Sequence, residues 1–166
     1  MNRSWRRFFL FTGLAGLLLH VQGQSQVTQP LRPADCMEAV AETRLLMDGI
    51  AHPNYQGLER ILKNKPKNAE AWKYARGQAI LIAEAGNLLL LRPPKNQGAK
   101  LWSQRSVELR EASTQLARSL AKQNFATSQL DFKLVANVCN RCHHNFRVAR
   151  RFEPFAAPKA RLDSSD

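Results

Sequence analysis

The chain of 166 residues has only three cysteines, too few for a disulfide scaffold. It has eight glycines and eight prolines, and its two long Ala/Leu/Glu/Arg-rich stretches argue for a mainly helical fold. No strand-like alternation supports a sheet, and no period of 20–50 residues suggests a repeat protein. Acidic residues are scarce, 13 Asp and Glu against 25 Lys and Arg, for a formal net charge of +12. A charged fraction of 23% beside a hydrophobic fraction of 44% excludes both wholesale disorder and a polytopic membrane protein. The N-terminal apolar run, Phe8 to Leu19, is 12 residues long, whereas spanning a bilayer as a helix takes about 20.

That run follows Arg3, Arg6 and Arg7 and precedes polar Gln22, Gln24 and Gln26, the order of an export signal. Val21 and Gly23 are small enough for the −3 and −1 positions of a signal peptidase site, so cleavage is expected after Gly23. The alternative is an uncleaved membrane anchor. Cys36 follows a charged residue, Asp35, which does not fit a lipoprotein site. Removing residues 1–23 leaves 143 residues, room for one domain, and takes three of the positive charges, leaving +9. The expectation is an exported, periplasmic protein with no stable membrane insertion after cleavage.

Residues 24–33 are polar with two prolines and read as a flexible lead-in, followed by a domain over 34–152. A first helix is expected from Asp35, with Glu38 completing a capping box. Met37, Val40, Ala41, Arg44 and Met47 form its apolar stripe, and Gly49 and Pro53 end it. A short piece around Leu58, Ile61 and Leu62 would cross the end of the bundle. A second helix starts at the N-cap Asn68 and repeats Trp72, Ala75, Ala79, Ile82, Ala83, Gly86 and Leu89 until Pro93-Pro94 stops it. A third runs from about Ala99 to Gln123, with Trp102, Leu109, Ala112, Leu116 and Leu120 inward. A fourth opens at Ser128 and carries Leu130, Leu134, Val135, Val138, Cys139, Cys142 and Phe146. Residues 153–166 read as a disordered tail. Four amphipathic helices on short loops are most simply an all-α, antiparallel four-helix bundle.

The fourth helix contains Cys139-Asn140-Arg141-Cys142-His143, a C-x-x-C-H run of the kind that attaches c-type haem. The two thiols can add across the haem vinyl groups as thioethers, and the adjacent imidazole can take the iron from one face. At 100° per residue Cys139, Cys142 and His143 share one side of a helix, so one cofactor can hold all three. A thioredoxin-like dithiol would sit near a βαβ pattern, which is absent. A zinc site built from Cys139, Cys142, His143 and His144 would need four neighbours on one helix to surround a tetrahedral ion. A haem-free zinc-binding or structural helical module is the alternative from another class.

The longer run Cys139-x-x-Cys142-His143-x-x-Phe146-Arg147 resembles the C-terminal haem motif of the class II cytochromes c, that is, cytochrome c prime and its low-spin, methionine-ligated relatives. The likeness covers most of the mature chain: signal peptide, four helices, and the motif on the last helix. It implies a left-handed four-helix bundle, frequently a homodimer through its first two helices, with one haem c between helices and His143 as proximal ligand. Arg44-Leu45-Leu46-Met47 resembles the first-helix pattern of the family, which implies Met47 as the distal iron ligand. His52 is the second choice for that position; Met37 is expected in the core and His144 in solvent. The resemblance also places Arg147 near the proximal imidazole, with a solvated arginine or a propionate partner as alternatives, and Phe146 in the pocket wall. Cys36, the odd cysteine, reads as a half-buried thiol or, in a dimer, an intermolecular disulfide.

The expected work is one-electron transfer between periplasmic redox partners, without catalysis. The alternative within the family is a five-coordinate binder of nitric oxide or carbon monoxide. Lys133, Arg141, Arg147, Arg150 and Arg151 surround the motif, and such a basic rim suits docking with an acidic redox protein. Export argues against nucleic acid as a partner.

Overall fold

The computed structural model describes residues 37–95 and 98–156. The signal segment 1–23, the lead-in 24–33, Asp35, Cys36 and the end of the tail, 157–166, lie outside the described residues. Within them the chain is all-helical, with no strand: α1 (Thr43–Leu46), a π-helical turn (Met47–Ala51), α2 (His52–Leu62), α3 (Ala69–Leu90), α4 (Ala99–Ala121) and α5 (Phe125–Asn145).

The first rod departs from expectation. Residues 37–42 are not helical, and Met37 and Val40 are 80% and 91% exposed, so the helix begins only at Thr43, as Leu46 reaches the core. The helical start before Thr43 and a core role for Met37 are therefore overturned, while Asp35 of the expected capping box lies outside the described residues. Nor do Gly49 and Pro53 end the helix. Backbone dihedrals stay right-handed helical at Leu46, Met47, Ala51 and His52, so α1, the π turn and α2 run on as one rod. In the π turn the N–H of His52 donates to the carbonyl of Met47, five residues back. Proline in an α-helix interior clashes with the carbonyl four residues before it; here the wider turn immediately precedes Pro53, at the start of α2. The Asn54 amide takes up the Ile50 carbonyl at 2.7 Å. Leu58 and Leu62 are thus the buried end of this rod rather than a separate crossing piece.

α3 starts where expected, with the Asn68 side chain accepting from the Ala71 N–H at 2.8 Å. Its inward stripe of Trp72, Ala75, Ala79, Ile82, Ala83, Gly86 and Leu89 is buried throughout. α3 packs most extensively on α4, α4 on α5, and α2 on α3, with α2 also touching α5. The approach of α3 to α4 is closest at Gly86: a Cβ there would lie 2.9 Å from both the Arg110 nitrogen and the Ser106 carbonyl oxygen. At the crossing of α2 with α3, Gly57 makes room for the Gln78 side chain in the same way.

α5 starts earlier than Ser128. Asn124 is its N-cap, accepting from the Thr127 N–H at 3.1 Å, while Ser128 is fully buried and donates to the Asn124 carbonyl. The face that packs inward also differs from the expected one. Phe132, Val135, Ala136 and Val138 are buried, whereas Leu130 and Leu134 are 66% and 44% exposed and are not core residues. Near the start of α5 the Gln129 amide donates to the Leu62 carbonyl at the end of α2, 2.9 Å away.

Residues 153–156, expected in a disordered tail, are packed. The Phe155 ring lies 5.6 Å from Phe132, and its N–H donates to Glu59 Oε1 at 3.0 Å. Among the described residues no helix is long and apolar enough to cross a membrane.

Candidate functional site

α5 carries the C-x-x-C-H run through its last two turns and then stops. The N–H of Arg147 bonds the His144 carbonyl and that of Val148 the His143 carbonyl, at 3.3 and 2.8 Å. Arg147 sits between them with φ of +57°. This is the Schellman closure, which ordinarily takes glycine at the left-handed position. A helix running on through Arg147 would have put it one turn beyond His143 on the same face, and this closure takes it off that face. The helix has ended at Asn145, and Arg147 is exposed and does not line the cavity described next.

A cavity of about 460 Å³ lies between the first rod, α3, α4, α5 and the segment that follows α5. Cys139, Cys142, His143 and Phe146 face it from α5, and Met47, His52 and Tyr55 from the first rod. Ile82, Leu89, Trp102 and Leu109 supply apolar wall. The cavity thus brings together both thiols, the imidazole and the methionine that the sequence singled out. His52, which a helix ending at Gly49 would have left off it, is on the rod and faces the same space, because the π turn carries the rod past Gly49. His144 is exposed, as expected. Phe146 meets Trp102 edge to face at 5.0 Å, and the Trp102 indole N–H donates to the Leu89 carbonyl at 2.7 Å.

Both cysteines are free thiols. Burial, with Cys142 nearby, pushes the Cys139 thiol up to about 12. Burial also raises Cys142, against an opposing pull from Arg105. Both are held protonated at neutral pH. His143 is lowered by burial and by the Arg151 and Arg150 charges, against the bond its ring makes. That bond joins Nδ1 to the Arg150 carbonyl at 2.9 Å. A carbonyl only accepts, so in the neutral ring Nδ1 carries the proton and Nε2 keeps its lone pair. His52 is lowered by burial and by Arg150, with Asp48 opposing.

Several contributors to the cavity were not expected there from the sequence, Arg150 having been read only as part of the basic rim. Tyr55 is buried, and its hydroxyl has no hydrogen-bond partner among the described residues; burial, then Glu59 and Cys139, raise it well above the ordinary phenol range. Arg105, paired with Glu108 and with the Asn145 side chain, and Arg150, 3.4 Å from Asp48, place guanidinium groups at the cavity. Phe152 lies 4.5 Å from Tyr55 and 5.4 Å from His143, ring to ring. Only the helical period would have exposed Tyr55, two turns on from Met47, and reading Pro53 as a stop concealed it.

These residues fit a covalently held haem. Two thiols one turn apart suit a pair of thioethers, the free Nε2 suits a metal ligand, and the carbonyl on Nδ1 is the outer partner that metal-bound histidines commonly have. The cavity volume lies within the range of roughly 300–1,000 Å³ of small-molecule sites. Among the described residues no group of three or more His, Cys, Asp or Glu side chains converges to hold a bare metal ion, which a zinc site would need. No family model, curated protein or solved structure matches the chain.

Proposed function

We propose that this protein is an exported, monohaem c-type cytochrome of the class II kind, an antiparallel four-helix bundle that carries single electrons between periplasmic partners and catalyses no reaction of its own. The observation that carries the reading is the meeting, in one cavity, of Cys139, Cys142, a neutral His143 with Nε2 free, and Met47.

Bound haem supplies an iron that cycles between ferrous and ferric. The chain's residues hold and tune it. The thiols of Cys139 and Cys142 would hold the group as two thioethers, each S–H adding its sulfur to one vinyl carbon and its hydrogen to the other. His143 offers Nε2 while the Arg150 carbonyl fixes its ring. Met47 lines the cavity from the first rod, and its thioether would ligate a bound iron, which would favour the reduced state. Phe146, Trp102 and Phe152 supply apolar surface to the cavity. Arg105 and Arg150 offer charge-assisted hydrogen bonds to carboxylates at its edge. The exposed Arg147, Arg150 and Arg151 form a basic rim suited to an acidic partner.

The test is expression in a host that matures c-type cytochromes. The account expects a haem stain that survives denaturing electrophoresis, its loss in Cys139→Ser/Cys142→Ser, and a low-spin spectrum that becomes high-spin and carbon monoxide-reactive in Met47→Ala. A high-spin wild-type spectrum that shifts readily with carbon monoxide makes the protein a gas binder instead. Unstained protein overturns the haem reading.

A further inference from the structure

Beyond Arg147 the chain turns back over the end of α5 and is fastened at four places. The Asn140 side chain grips Phe152 twice, its amide donating to the Phe152 carbonyl at 2.8 Å and its carbonyl accepting the Phe152 N–H at 2.9 Å. Arg150 reaches Asp48 on the π turn, Phe155 donates to Glu59 on α2, and the His143 ring meets the Arg150 carbonyl. Asn140 is one turn before His143 on α5, and Phe152 is two residues past Arg150. The amide grip therefore sets where the Arg150 carbonyl stands relative to the ring. The other variable position of the run, Arg141, points elsewhere, to Glu108 on α4 at 3.2 Å.

We propose that Asn140 is a positioning residue: its side chain latches the segment around Phe152, so that the Arg150 carbonyl holds His143 by Nδ1 and turns Nε2 to the cavity. A short polar side chain inside the haem-attachment run thereby selects the tautomer of the adjacent ligand. The latch itself needs no haem; its consequence for the iron rests on the haem reading above. With Nδ1–H engaged, the ring is a stronger donor and stabilises the ferric state. Releasing the latch raises the reduction potential.

The experiment uses the full chain made without haem maturation and labelled with ¹⁵N-histidine. NMR of the wild type is expected to show His143 as the Nδ1–H tautomer with slowed exchange of that proton. In Asn140→Ala the exchange is about ten-fold faster or more, as expected when two half-buried hydrogen bonds are lost, and the Nε2–H tautomer appears while helix content is retained. Arg141→Ala keeps wild-type values. Asn140→Asp keeps the acceptor for the Phe152 N–H and gives an intermediate rate, which carries the test if the alanine variant fails to fold. In the haem-loaded protein the same ring proton is followed through its hyperfine-shifted resonance, and the midpoint potential of Asn140→Ala is higher than that of the wild type. An Asn140→Ala protein with unchanged tautomer and exchange overturns the proposal, as does an Arg141→Ala protein that behaves like it. If the chain takes up no haem, the haem reading fails while the tautomer result still decides the latch.

Discussion

Two glycines on α3 make opposite predictions for one substitution. Gly77 faces open space, with nothing within 4 Å of an added Cβ. Gly77→Ala should therefore gain most of the helix-propensity difference, about 1 kcal/mol. Gly86 lies where α3 meets α4, and its Cβ would stand 2.9 Å from two backbone atoms, Arg110 N and Ser106 O, and 3.1 Å from Arg110 Cβ. No rotamer change relieves a backbone contact, so the helices must separate. Overpacking a close contact costs about 1–3 kcal/mol, and a backbone clash belongs in the upper half of that range. Offset by the same propensity gain, Gly86→Ala should lose about 1–2 kcal/mol. The two variants then differ by about 2–3 kcal/mol, readable as a separation of urea midpoints at constant slope. The Gly86 effect should also reach the cavity, because Ile82 and Leu89 flank it on α3 and Trp102 hangs from the Leu89 carbonyl; Trp102 emission should shift in Gly86→Ala alone. Equal stabilisation of both variants would refute the close approach of α3 to α4.

Arg147→Gly removes a side chain from a left-handed backbone position and should stabilise the chain by about 1 kcal/mol, measured by thermal melting; destabilisation would argue against the Schellman closure. The haem-free chain should be most stable between about pH 7 and 9, as followed by denaturant titration across pH. Folded His143 and His52 have pKa values lowered from 6.5, so the stability they confer is present above that value and is lost as pH falls below it. Cys139 is raised from 9.0 to about 12, so its contribution is present below pH 9 and is lost as pH rises through that window. A flat profile from pH 5 to 11 contradicts both burials.

The parts of the fold legible in the sequence are those in which local and tertiary signals agree. α3 has a side-chain cap at Asn68 and an unbroken inward stripe from Trp72 to Leu89, and both are found as read. The first rod was not legible because its punctuation misleads. Gly49 and Pro53 are ordinary stop signals, and only an i to i+5 turn, which no residue pattern announces, carries the helix past them. That single feature also hid Tyr55 and moved His52 into the cavity. In α5 the difference is one of rotation. The cap is Asn124 rather than Ser128, and the apolar residues Leu130 and Leu134 face outward while Phe132 occupies the core. Spacing along one helix singled out Cys139, Cys142 and His143, and the family resemblance added Phe146 and Met47; all five face one cavity. Arg147 was misplaced because the helix ends between Asn145 and its own left-handed turn. Asn140, Arg150 and Phe152 were hidden because their roles depend on a chain reversal after the helix.

The most direct measurement is the intact mass, under denaturing conditions, of the protein made in a host that matures c-type cytochromes. A polypeptide heavier than its sequence by one iron porphyrin, with the extra mass tracing to the peptide that contains Cys139 and Cys142, is what covalent capture predicts. A bare polypeptide mass contradicts it.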